Sequence, residues 1–186
     1  MNALLKRSSN LPVDPLFLGR WSPRAFDGRS LPLDDLMTLF EAARWAPSAY
    51  NKQPWRFLYA LPEDEFWPTY VSLLDPFNAS WARHAGALIF LLGDTRSSSH
   101  RFDVGAAWSH IALQAHLLGY QAHAMGGIMH ASVRTELAVP EYLNVEIGIA
   151  VGSEGDAGKL PDELRQREQP SDRRPLAELI SRGRYR

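Results

Sequence analysis

Cysteine is absent from all 186 residues. That excludes disulfides, thiol nucleophiles, Cys-ligated zinc and Cys-ligated iron–sulfur clusters. A long apolar run is missing as well: nothing approaches the roughly 18 residues a membrane span requires. Charge of neither sign predominates, since 20 Lys and Arg face 21 Asp and Glu for a formal net charge of -1. We therefore expect neither nucleic acid nor a membrane as a partner. The opening Met1-Asn2-Ala3-Leu4-Leu5-Lys6-Arg7 has too little apolar length for a secretory signal. The expectation is a cytoplasmic protein. Several chemical signatures are also missing. No G-x-G-x-x-G follows the first strand, and Gly126-Gly127 follows a late one without the right spacing. No G-x-S-x-G elbow presents a serine nucleophile. His110, His116, His123 and His130 stand six, seven and seven residues apart, so none form the i, i+4 pair of a helical zinc site. No metal is expected. Internal repeats and low-complexity tracts are lacking too.

What is present suits one domain spanning 1–186, within the usual roughly 100–200 residues. It is 45% hydrophobic, enough to bury a core without staples. Leu33, Leu36, Leu39, Phe40 and Ala43 recur at helical spacing behind Pro32 and Asp34-Asp35, predicting a helix over 33–45. The pattern further predicts strands over 55–60, 87–92, 120–125 and 145–151, and helices over 63–74, 102–118 and 131–138. The helix over 102–118 is apolar nearly all round, as expected of one buried on several sides, including at a subunit interface. The fold class is α+β: a central mixed, mainly antiparallel sheet flanked by helices. An N-terminal segment, 1–19, precedes it. A polar arm over about 153–186, ending in Arg182, Arg184 and Arg186, carries Leu176, Leu179, Ile180 and Tyr185 as anchors for a partner subunit.

Two loops concentrate unusual chemistry. Trp45-Ala46-Pro47-Ser48-Ala49-Tyr50-Asn51-Lys52-Gln53-Pro54-Trp55 joins a helix to a strand with two prolines, two tryptophans and four uncharged polar side chains. Proline stiffens a loop. Amides, hydroxyls and flat rings suit a planar, hydrogen-bonding ligand. Upstream, Arg20-Trp21-Ser22-Pro23-Arg24-Ala25-Phe26 sets two arginines and a hydroxyl around a proline. Guanidinium forks and a hydroxyl suit a phosphate.

In this order and separation the two segments resemble the FMN-dependent nitroreductase family, through its R-x-S-x-[RK] and P-S-x-x-N-x-Q-P-W motifs. The resemblance runs from Arg20 to the C-terminus. It implies an intertwined homodimer with two flavin sites at the interface. Within the R-x-S-x-[RK] stretch, which includes Trp21, it gives Arg20 and Ser22 to the phosphate and Arg24 to the N1/O2 edge of the ring. Arg173, in Asp172-Arg173-Arg174-Pro175-Leu176, joins the phosphate, and Arg174 is the alternative. Pro47, Ser48 and Ala49 wall the ring, and Asn51 comes from the facing subunit. Asn78 lies at a flavin edge. The backbone of Met125-Gly126-Gly127 meets N5 and O4. Glycine permits that close approach. One branch of the family carries a lysine three residues after the asparagine, where this chain has Trp81. The flavin's potential therefore loses one nearby charge, for which Arg83 is a partial substitute.

The activity so implied is electron transfer from NADH or NADPH through flavin N5 to nitroaromatic, quinone or other activated acceptors, in ping-pong order. The chemistry belongs to the cofactor, and no side chain is a required general acid or base. His123, beside the N5 segment, is the candidate proton donor. Trp67, Tyr70, Phe77 and Trp81 form an aromatic group, either core or a lid over a small aromatic or quinone-like acceptor. Two other readings keep the scaffold: a dehydrogenase or dehalogenase with a specific substrate, and a flavin-binding protein without turnover.

Overall fold

The computed structural model describes residues 7–185. Four strands form one sheet in the order β1-β2-β4-β3, with β1 Trp55–Ala60, β2 Ala87–Asp94, β3 Gln121–Met125 and β4 Leu143–Gly152. All three ladders are antiparallel, so among the described residues the sheet is not mixed. β2 is buried from Ala87 to Gly93, as its unbroken apolar run requires. Its alternate side chains feed two cores. Leu88, Phe90 and Leu92 point to one face with Tyr70, Trp81, Met125 and Leu164. Ala87, Ile89 and Leu91 point to the other with Leu36, Leu39, Val104 and Ile111. The period of two in a strand makes this division automatic.

The second face is covered by α2, Leu33–Arg44, and α5, His100–Leu117. Both occur where the apolar spacing predicts them. A short helix α1, Pro15–Gly19, precedes them and is capped by Asp14. Its proline sits in the first turn, where a missing N–H costs nothing. The helix expected over 63–74 is shorter, and a second helix that the pattern does not predict follows it. α3 spans Trp67–Ser72 and α4 spans Pro76–Ala82. Asp75 caps α4 by accepting from the Asn78 N–H at 2.7 Å, and Pro76 enforces the break. Asn78 is thereby helical rather than a turn residue. α6, His130–Glu136, follows β3.

The polar arm divides into two parts. Its first part folds onto its own chain: Phe26 bridges Glu154, Gly155 N–H donates to the Ala25 carbonyl at 2.8 Å, and α7, Asp162–Arg165, buries Leu164. Leu160 is buried as well. From Ser171 to Tyr185 every residue is exposed. Arg186 and Met1 to Lys6 lie outside the described residues. Among the described residues no helix is long and apolar enough to cross a membrane.

Candidate functional site

Three arginines from distant parts of the chain converge. Arg20 is the first residue after α1, where the chain leaves the helix extended. Its Nη1 donates to Ser22 Oγ at 3.1 Å. Arg7 Nη1 donates to the Arg20 carbonyl at 2.8 Å, which pins the segment before α1 beneath it. Arg173 shares with Arg7 one groove of about 520 Å³, lined also by Asp172 and Arg174. Burial, Arg7 and Arg173 all lower the Arg20 pKa. Burial, then Arg173, lowers that of Arg7, and Asp172 opposes. Arg7 Nε is buried without a hydrogen-bond partner among the described residues. Like charges gathered this way are costly unless an anion joins them. Of the two candidate tail arginines, Arg173 is the one whose charge acts on Arg7 and Arg20. Arg7 was invisible to motif reading, because nothing in its local sequence marks it. Beside the groove, Arg20 and Ser22 border a cleft of about 300 Å³ with Phe17, Trp108, Ser109 and Ala112.

Arg24 stands differently. Its backbone N–H and that of Ala25 both donate to Glu168 Oε1, at 2.6 and 2.7 Å. Its guanidinium lies 4.0 Å from Glu168 Oε2, and the Glu168 side chain is only 3% exposed. Burial lowers the Arg24 pKa and Glu168 raises it back. Between them, His123 Nδ1–H donates to the Pro23 carbonyl at 2.8 Å. Burial, followed by the Arg24 and Arg20 charges, pushes His123 down to about 4 against the backbone bonds that favour its cation. A neutral imidazole at pH 7 holds no spare proton to give as an acid, so His123 is a backbone clamp rather than the expected donor. Its ring packs 4.8 Å from that of Trp81, which is 1% exposed and also stacks on Phe26. Trp81 is thus core, as is Trp21 at 6% exposure. Arg83, the proposed substitute cation, turns its Nε to the Ala79 carbonyl and stays exposed.

Asn78 and Gly127 meet on the far side of β3. Asn78 Nδ2 donates to the Gly127 carbonyl at 3.0 Å, and the Asp75 N–H donates to the same oxygen at 3.1 Å. A side chain at Gly127 would strike the Asp75 carboxylate and the Asn78 amide, so only glycine fits. At Gly126 a side chain would enter open space, while Met125 is 3% exposed and belongs to the core. The backbone at Gly126 is accessible and held from behind.

The loop before β1 is not part of this cluster. Its Ala49 N–H donates to Asp103 Oδ1 at 3.2 Å, near the start of α5. The arginine cleft touches α5 from Trp108 to Leu113. At 1.5 Å rise per residue its contacts begin roughly 8 Å along the helix from Asp103. The loop also leads into β1, whereas Met125 ends β3 at the opposite edge of the sheet, about 14 Å across three strand spacings. Pro47, Tyr50 and Asn51 are exposed, and Ser48 and Ala49 are half-buried. One chain therefore gathers Arg7, Arg20, Ser22 and Arg173 in one place, sets Arg24 against Glu168, and fastens Asn78 to Gly127 after β3. It carries Pro47, Ser48, Ala49 and Asn51 in the separate loop before β1.

The nitroreductase family model matches residues 18–66. No curated protein matches the chain in sequence. A solved oxidoreductase containing FMN is 47% identical over 100% of this chain and 99% of its own, with a TM-score of 0.95. A protein from Desulfovibrio desulfuricans, provisionally assigned as a nitroreductase and solved in complex with FMN, is 26% identical. That match covers 96% of this chain and 100% of the other, with a TM-score of 0.78. A nitroreductase family protein from Clostridium difficile 630 shares the fold at 21% identity, over 94% of this chain and all of its own, with a TM-score of 0.75. The chain belongs to the nitroreductase family.

Proposed function

We propose that the chain is an FMN-dependent oxidoreductase that takes electrons from NADH or NADPH and passes them to nitroaromatic, quinone or other activated acceptors. The observation that carries this reading is the cluster of Arg7, Arg20 and Arg173 around Ser22, with the buried Arg7 Nε lacking a partner among the described residues. A phosphate would neutralise the repulsion and accept from that nitrogen. The FMN-containing structures of two relatives support the same ligand. When bound, FMN supplies a carrier that accepts a pair of electrons from one substrate and releases them to the next.

The chain's own residues would hold and surround it. Arg20, Ser22, Arg173 and Arg7 bind the phosphate. Arg24 supplies positive charge to the N1/O2 edge, tempered by Glu168. Asn78 holds the Gly127 carbonyl, and so aims the Gly126–Gly127 backbone toward N5 and O4. Pro47, Ser48, Ala49 and Asn51 lie in the loop that enters β1, at the opposite edge of the sheet from Met125. We place them against the ring of the partner subunit in a homodimer. That revises an assignment of Asn51 alone across the interface: the whole loop crosses. Exposed Phe102 and Leu117 on α5, Tyr50 in the loop, and Leu176, Leu179 and Ile180 in the tail are the apolar surface for that association.

The test is an absorbance spectrum of the purified protein, repeated anaerobically after adding NADH and then NADPH. Flavin bands that bleach support the proposal, and the faster donor gives the preference. Flavin that stays oxidised with both donors would remove nicotinamide from the scheme. Protein that cannot be reconstituted with FMN would overturn it.

A further inference from the structure

A carboxylate outside every site motif links the two halves of the phosphate cluster. Glu168 lies in the tail shortly before Arg173, and its side chain is 3% exposed. One of its oxygens accepts from two consecutive backbone N–H groups, those of Arg24 and Ala25, in the same segment that carries Arg20 and Ser22. Just beyond Pro170 the tail becomes fully exposed, with no buried residue to fix its path. Among the described residues Arg173 itself bonds only to neighbours in the tail, the Ser171 and Asp172 backbone and Ser171 Oγ. Its location beside Arg7 thus depends on where the chain was last anchored, and that anchor is Glu168.

We propose that Glu168 is a positioning residue for the flavin phosphate: by fastening the tail to Arg24 and Ala25, it delivers Arg173 to the groove it shares with Arg7. This rests on the FMN reading above. A carboxylate suits the task because two converging N–H donors give it charge-assisted bonds that a neutral acceptor makes more weakly. Any anchor without Arg173 behind it would hold the tail and leave the phosphate untouched. The phosphate is therefore the discriminating handle.

The experiment titrates apo-protein with FMN and with riboflavin, following flavin fluorescence. It compares full-length wild type, Glu168→Ala, Arg173→Ala and the double variant. Riboflavin has the ring and lacks the phosphate. Glu168→Ala is expected to weaken FMN about 10-fold more than riboflavin, the loss of one charge-assisted contact to the phosphate, with any change at the Arg24 ring edge common to both ligands. In the Arg173→Ala background the same change should cost FMN no more than it costs riboflavin, because its phosphate effect travels through that arginine. Glu168→Gln keeps an acceptor oxygen for both N–H groups and should restore most of the FMN affinity. If Glu168→Ala does not fold, Glu168→Asp shortens the reach by one methylene and should lower the preference for FMN over riboflavin. Equal losses for FMN and riboflavin, or a full additional loss in the Arg173→Ala background, would overturn the inference. So would unchanged FMN affinity in Glu168→Ala and Glu168→Asp. Failure of wild type to bind FMN would instead sink the flavin reading itself.

Discussion

The segment from Arg20 to Phe26 and the loop from Pro47 to Trp55 hold their shapes in opposite ways. The first is clamped from all sides by its own chain. Its Pro23 carbonyl accepts from His123, its Arg24 and Ala25 N–H groups meet Glu168, and its Ala25 carbonyl accepts from Gly155. The second is anchored at few points. Asp103 takes the Ala49 N–H, and Ser48 Oγ accepts from the Gln53 N–H at 3.0 Å. Tyr50, Asn51 and Gln53 lie at φ of 52, 54 and 47°, a left-handed backbone that costs about 1 kcal/mol or more for each residue with a side chain. Tyr50 is 96% exposed. Backbone strain in a solvent-facing loop persists only where something over-determines it. In the homodimer we propose, one half of the site is complete within a chain, while the other is shaped for use on the second copy.

The sharpest way to break this comparison is to remove charge from the complete half. Arg20→Ala combined with Arg173→Ala should weaken FMN about 100- to 1,000-fold, from two charge-assisted contacts. The proposed dimer, which rests on other surfaces, should remain intact, as sedimentation would show. Retained affinity would mean the phosphate lies elsewhere. In the other half, Asp103→Ala removes a carboxylate that is 1% exposed and leaves the Ala49 N–H and Ser99 Oγ without it. We expect about 3 kcal/mol lost in urea denaturation, from two stranded polar groups. The complete half should keep its phosphate contacts. A loss below 1 kcal/mol would mean that the loop is held by something other than Asp103.

The same contrast explains what the sequence made legible. Arg20, Ser22 and Gly127 are marked by short motifs, and the apolar run of β2 declares a buried strand. The helix pattern over 33–44 is equally plain, with its acidic start. Arg7 and Glu168 are illegible because their role comes from long-range contact with Arg20 and Arg24. The start of α4 is written in Asp75-Pro76, a cap followed by proline, but the short Phe77–Ala82 stretch carries too little apolar spacing to mark a helix. Trp81 also resists local reading. This chain has there a core ring packed on His123, and only the fold reveals that the position turns inward.

His123 offers a finer test of how tightly the first half is clamped. Burial holds its pKa at about 4, below the usual 6.5. The unfolded chain therefore binds a proton at a pH where the native one does not. Its contribution is present above about pH 6.5 and is lost as pH falls toward 4, below which both states are protonated. With partial solvent contact we expect roughly 2 kcal/mol across that window. Subtracting the pH–stability curve of His123→Gln from that of wild type isolates it from the carboxylates. A flat difference would show that His123 titrates normally, and that the Pro23 clamp is loose.

The smallest expected effect concerns the aromatic group beside Asn78. Tyr70 and Trp81 are buried, and Trp67 packs against the same core. Tyr70 and Trp81 cannot swing over a ligand without opening the fold, and Trp67, half-buried, is held against the same core. Phe77 is 45% exposed, next to the Asn78 that fixes Gly127, so it alone of the four can reach an acceptor stacked at the ring. Phe77→Ala should shift relative kcat/KM among nitroaromatic and quinone acceptors by about 3- to 10-fold, the worth of one exposed aromatic contact. FMN content should not change. Trp67→Ala should instead lower thermal stability and leave the acceptor ratio alone, because it removes core rather than lid. The opposite pattern would make Trp67 the acceptor contact and Phe77 an ordinary surface ring. It would also require that the half of the site complete within one chain opens far enough for a core residue to reach the ligand.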